Sequence, residues 1–202
     1  MNKIIFIFGH GNLPKLILKK IEHLNLEFKI LFIGENKLHK SSKSKTVKLG
    51  KIVTELKKLK KLGFSKILMA GSISRPRISD INPDLNSLKL LPKFTKALFE
   101  GGDNKLLKFV IKELENLGFK ILYIHKTFPD LFFGFGNQTK VKISNSLLKD
   151  IQKGAMILYN NSKYDIGQSI LVQEGNVIGI EAIQGTDNLI KQSLPYMQKV
   201  KK

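Results

Sequence analysis

The apolar run Ile4-Ile5-Phe6-Ile7-Phe8 is unbroken and stops at Gly9-His10-Gly11. A run this short, closed by glycine, predicts a first strand buried on both faces and not a signal peptide. Helical spacing follows over Leu13–Leu24, with Asn12 as the expected N-cap and Pro14 in the first turn. Phe28–Ile33 predicts a second strand closed by Gly34-Glu35, and the polar stretch from Asn36 to Lys45 predicts a surface loop. Between Gly50 and Leu62, the positions Ile52, Val53, Leu56, Leu59 and Leu62 share one face, while Lys51, Lys57, Lys58, Lys60 and Lys61 mostly oppose it. That is an amphipathic helix ending at Gly63. Lys66–Ala70 predicts a third strand, leaving through Gly71-Ser72. Strands alternating with helices across short turns imply a parallel, right-handed, Rossmann-like layer.

After Asp103 the pattern predicts a helix over Leu106–Leu117, ending at Gly118, and a buried strand over Phe119–His125. Gly134-Phe135-Gly136-Asn137 is the glycine-rich break at which a domain boundary is expected, dividing 1–133 from 134–202. A helix near Ser146–Tyr159 comes next. Two strands, Ile166–Gln173 and Val177–Ala182, then flank Glu174-Gly175-Asn176 as a hairpin. The fold class expected is α/β: a parallel Rossmann-like sheet followed by a smaller mixed region.

Composition narrows the chemistry. With 42% hydrophobic and 25% charged residues the chain is that of a globular protein, and no apolar run is long enough to span a bilayer. It has no cysteine, so any metal must sit on oxygen or histidine, and a cytoplasmic location is expected. The net charge of +19 suits nucleic acid, an anionic membrane face or a phosphorylated substrate, and a general lysine bias explains it equally well. Arginine differs. Arg75 and Arg77 are the only two, and a planar bidentate fork suits phosphate.

Candidate chemistry lies at strand ends. Gly9-His10-Gly11-Asn12-Leu13-Pro14 joins the first strand to the first helix, where glycine lets backbone N–H groups approach a phosphate. A dinucleotide fingerprint would need glycine where Pro14 stands. Glu35 occupies a ribose-binding position but reads more simply as solvated. Gly71-Ser72-Ile73-Ser74-Arg75-Pro76 leaves the third strand beside the first loop, as a diphosphate clamp or a plain loop. Among 16 acidic residues, Asp103, Asp165, Glu181 and Asp187 stand in apolar or glycine-rich surroundings and are candidate Mg²⁺ ligands. Spacing alone favours Asp103 and Asp187 as helix caps. It therefore reaches only a nucleotide- or phosphate-binding α/β protein.

These segments, in order, resemble the metal-dependent UDP-2,3-diacylglucosamine hydrolase (pyrophosphatase) family of lipid A synthesis, the type found where the calcineurin-like enzyme is absent. The resemblance runs through the two glycine loops, Asp80, Pro83-Asp84, Gly102-Asp103-Asn104-Lys105-Leu106-Leu107 and Pro129-Asp130-Leu131. It continues through Asp165-Ile166-Gly167-Gln168-Ser169 and Glu181-Ala182-Ile183-Gln184-Gly185-Thr186-Asp187. It implies a Rossmann-like domain, a mixed α/β second domain, and Mg²⁺-dependent hydrolysis to UMP and 2,3-diacylglucosamine 1-phosphate. Asp187 would be catalytic and metal-binding, with Glu181 as its catalytic partner. Gly11, Asn12, Leu13, Ser72, Ile73, Arg75, Asp103, Gln168, Gly185 and Thr186 would bind substrate. His10 and Gln184 replace residues more usual in the family. Family members continue past Gly-Thr-Asp with a Lys- and Pro-rich segment and a closing strand–helix unit. Leu194–Lys202 has neither, so the second domain is expected to be incomplete.

The implied partners are a UDP-linked diacyl sugar and, through the lysines, the anionic inner face of the cytoplasmic membrane; self-association is left open. The rival is a non-catalytic basic Rossmann-like protein on a nucleotide, nucleic acid or membrane. Nucleic acid is not expected, because no aromatic set interleaves with the basic residues.

Overall fold

A computed structural model describes residues 3–34, 41–74, 76–77, 81–100, 103–134, 136–138 and 140–197, the side chains of Glu100 and Asp103 excepted. The chain forms two compact units, one of residues 1–101 with 105–133 and one of residues 102–104 with 134–202.

The first unit is built on β1 (Lys3–Phe8), α1 (Asn12–Ile21), β2 (Glu27–Ile33), β3 (Ser44–Val47), α2 (Ile52–Lys61) and β4 (Lys66–Ala70). It continues through α3 (Leu85–Leu88), α4 (Leu91–Glu100), α5 (Asp103–Asn116, of which 105–116 belong to this unit), β5 (Lys120–Leu122) and α6 (Ile124–Thr127). The five strands make one parallel sheet in the order β3-β2-β1-β4-β5. The unbroken apolar run of β1 now has its reason. Ile4, Phe6 and Phe8 face α1 with Ile17, Ile21, Phe28 and Phe32, while Ile5 and Ile7 face Leu56, Leu59, Phe64 and Leu114. A strand covered on both faces has no position for a polar side chain.

Several local expectations are corrected. The cap of α1 is Gly11 (φ 109°), not Asn12, which is already helical; a residue with a Cβ disfavours that dihedral. Ser44 and Lys45, expected in a loop, begin the edge strand β3, whose first three positions are not buried. The expected strand at Phe119–His125 is shortened to β5, because Ile124 starts a helical turn. The helices α3 and α4 were not anticipated, although Asp84 caps α3 by accepting from the amides of Asn86 and Ser87.

The second unit contains α7 (Asn145–Asn161), β6 (Ile170–Gln173), β7 (Asn176–Ile180) and α8 (Thr186–Ser193). The predicted hairpin forms, but with shorter strands than Ile166–Gln173 and Val177–Ala182. Its turn carries positive φ at both Glu174 (49°) and Gly175 (76°), the dihedrals of a tight two-residue connection. Asp150 of α7 stabilises that turn, its two carboxylate oxygens accepting from the amides of Glu174 (2.8 Å) and Gly175 (2.7 Å). Among the described residues no helix is long and apolar enough to cross a membrane.

Candidate functional site

In the first unit the strand order reverses between β1 and β4, the place where open α/β sheets bind ligands. Both glycine loops leave the sheet there. They are joined by a short antiparallel bridge, the His10 amide donating to the Ser72 carbonyl (2.7 Å) and the Ser72 amide to the His10 carbonyl (3.0 Å). The glycines permit this approach. A Cβ on Gly9 would lie 2.1 Å from the Ser72 carbonyl oxygen, and one on Gly71 2.5 Å from that of His10. Gly11 is different: nothing lies within 4 Å of its would-be Cβ, and its φ of 109° and ψ of −176° define a conformation that is essentially glycine's alone. The entry to α1 is therefore open and carries no side-chain cap. The amides of Asn12 and Leu13 point out of a positive helix end, which favours an anion.

The second unit repeats this device. Gly185 (φ 77°, ψ 165°) caps α8 without a side-chain bond and with nothing within 4 Å of a Cβ. The preceding turn is held by Gln184, whose Nε2 donates to the Ile180 carbonyl (3.2 Å) and whose Oε1 accepts from the Ala182 amide (3.0 Å). Glu181 is buried (8% exposed) at the end of β7, beside Ser169 and Thr186, whose hydroxyls are 3.3 Å apart. The Ser169 hydroxyl holds the Glu181 carboxyl below the usual range, opposed by burial and aided by the Thr186 hydroxyl and the backbone amides of Gln168 and Thr186. Its second oxygen, Oε2, is buried without a partner. Gly167 has no room for a Cβ, which would meet the Glu181 carbonyl oxygen at 2.2 Å. Asp187 lies in the first turn of α8, exposed.

The N-terminal domain model of the LpxI family matches residues 3–131, and the LpxI C-terminal domain model matches residues 135–201. The chain belongs to the LpxI family. It is similar to the UDP-2,3-diacylglucosamine pyrophosphatase LpxI of Caulobacter vibrioides, with 30% identity over 195 residues that cover 95% of this chain and 69% of that protein.

In this LpxI-family chain the structure brings Gly11, Asn12, Leu13, Ser72 and Ile73 together at the β1–β4 switch point. It brings Gln168, Glu181, Gly185, Thr186 and Asp187 together around the turn into α8. Arg75, Glu35 and the side chain of Asp103 lie outside the described residues. Asp187 does not cap its helix. The helix begins at Thr186, before the expected Asn188, and Gly185 is its cap. Ser169 was missed as a partner of Glu181; the cue was a hydroxyl opening the first hairpin strand, opposite the acidic end of the second. Asp165 adds a link unseen in the sequence, its Oδ2 accepting from the Asn104 amide at 3.2 Å from a left-handed backbone (φ 53°).

Among the described residues no three His, Cys, Asp or Glu side chains cluster as a metal cage. Mg²⁺ needs less: one or two carboxylates, with water and substrate phosphate supplying the other oxygens. The exposed Asp187 carboxylate, one residue after a hydroxyl that touches Glu181, has that donor chemistry. So does the unpartnered oxygen of Glu181. The residues present fit a hard cation.

Proposed function

We propose that this chain hydrolyses the pyrophosphate of UDP-2,3-diacylglucosamine to UMP and 2,3-diacylglucosamine 1-phosphate, a step of lipid A synthesis. The observation that carries the reading is the match to a UDP-2,3-diacylglucosamine pyrophosphatase along 95% of the chain, spanning both glycine-capped helix entries. The amides of Asn12 and Leu13 and the Ser72–Ile73 loop would bind the diphosphate, for which the planar guanidinium of Arg75 has the matching chemistry. Asp187 would hold Mg²⁺, and Glu181 fixes the Thr186 hydroxyl and so the direction of the turn. When bound, the metal offsets the charge on the phosphoryl oxygens. Water supplies the oxygen that bonds to one phosphorus as the bridging P–O bond breaks, and each product leaves with one phosphate. The net charge of +19 draws the chain to the anionic membrane in which a diacyl substrate resides.

The test is UMP release from UDP-2,3-diacylglucosamine, with Mg²⁺ and with a chelator in its place. Release that needs the metal supports the reading. No release, with UDP and single-stranded DNA shifting the melting temperature alike, favours the non-catalytic basic binder.

A further inference from the structure

A cavity of about 160 Å³ lies in the first unit, on the sheet face that carries α2 and α5. Its described lining is apolar except for Ser87 and Glu113. The exposure of the lining orients it. Leu56, Ile33, Leu114 and Ile7 are 1 to 7% exposed and form a closed floor, while Ile73, at 49%, is the lining residue open to solvent. Ile73 follows Ser72 directly, so the cavity opens at the loop assigned to the diphosphate. The T-shaped pair Phe94 and Phe109, from α4 and α5, forms part of the wall.

Water is a poor occupant, because an ordered water needs two to four polar partners. Ser87 offers one hydroxyl, which already lies against the Asp84 carboxylate, and the Glu113 carboxylate accepts from the Asn116 side chain at 3.5 Å. We propose that this cavity takes one acyl chain of the diacyl sugar substrate, entering beside Ile73 and running beneath α4. The proposal rests on the hydrolase reading. Volume decides between one chain and two: a dry cavity of about 150 Å³ lined by Leu, Ile and Phe holds a single benzene-sized molecule. This space accordingly takes a segment of about six carbons of one chain. The second chain remains outside it, so the two are recognised unequally.

The test uses the full chain and two cavity-filling variants, Val110→Phe from α5 and Met69→Phe from β4, both positions lining the space. A fluorescent fatty acid, cis-parinaric acid, reports the pocket directly, and KM for UDP-2,3-diacylglucosamine reports its use by substrate. The expected result is one saturable probe site on the unmodified chain. In each variant probe affinity falls at least ten-fold and KM rises at least ten-fold, with the UDP-induced melting shift unchanged. No probe site, or unchanged probe affinity in a folded variant, overturns the proposal. Lost probe binding with unchanged KM overturns it too, since the pocket would then hold a free fatty acid. If both variants fail to fold, the space is not free to be filled and the proposal falls. Absence of hydrolysis by the unmodified chain strikes the function instead, because the probe reads the pocket without turnover.

Discussion

Gly9→Ala should damage the candidate site more than Gly11→Ala, although Gly11 stands nearer the proposed phosphate. At Gly9 the new Cβ would lie 2.1 Å from the Ser72 carbonyl oxygen and 2.7 Å from its carbon. Both are backbone atoms, so the loop itself must retreat by more than an ångström. That breaks the two hydrogen bonds between His10 and Ser72. Two such bonds are worth about 2 kcal/mol, and forcing an atom into filled space adds about 1–3 kcal/mol. A total of about 3–5 kcal/mol should lower the melting temperature by about 6–20 °C. At Gly11 the new Cβ meets nothing within 4 Å, and only the dihedral strain remains, about 1–3 kcal/mol. The assay is thermal unfolding of the two variants with and without UDP. Gly9→Ala should melt lower and lose the UDP-induced shift. A milder effect at Gly9 than at Gly11 would mean that the two loops are not in contact through His10 and Ser72.

Asp150→Ala leaves the amides of Glu174 and Gly175 without their carboxylate and should cost about 2–3 kcal/mol, with Asp150→Asn recovering part; equal denaturant midpoints for all three chains would contradict this. Glu181 has a depressed carboxyl, so its stabilisation is complete above the unfolded value of about 4.3 and is lost as pH falls through the folded one. Below about pH 4.3 the unmodified chain should lose melting temperature faster than Glu181→Gln, and parallel curves would count against the assignment. Vesicles with anionic lipid should co-sediment the chain at low salt and release it at high salt, each lysine near the surface adding about 1 kcal/mol. Within α2, Lys57, Lys58 and Lys60 already bond to Asn86, Glu55 and the Leu117 carbonyl, so Lys51→Glu and Lys61→Glu should weaken that binding more than changes at those three; equal effects would refute this.

The parallel sheet was legible because its signals are local. The all-apolar β1 and the amphipathic α2 each state their burial within a few residues. β3 was not legible, because Ser44-Lys45-Thr46-Val47 has a single buried position and its pairing comes from β2. Over Phe119–His125 the apolar run implied more strand than forms, since the partner β4 pairs only Lys120, Ile121 and Leu122. The glycine loops were readable as loops. Their bridge through His10 and Ser72 was not, because it requires β4 to lie beside β1. The same limit applies to Glu181. Its isolation among apolar residues is visible in the sequence, whereas its neighbours Ser169 and Thr186 reach it only through the hairpin and the turn into α8.

Asp187→Asn separates a metal-binding role of this carboxylate from a structural one. The Asp187 side chain does not cap α8, so the change should alter folding only through the helix dipole, by about 0.3–1 kcal/mol. The neutral amide is a poor ligand for a hard cation. Mg²⁺-dependent UMP release and melting temperature should be measured on both chains, at equal substrate and metal. Near-equal melting is expected, with at least a hundred-fold loss of UMP release, on the order of 3 kcal/mol of transition-state stabilisation. Hydrolysis that survives in Asp187→Asn would contradict the metal-binding role and remove Asp187 from the site.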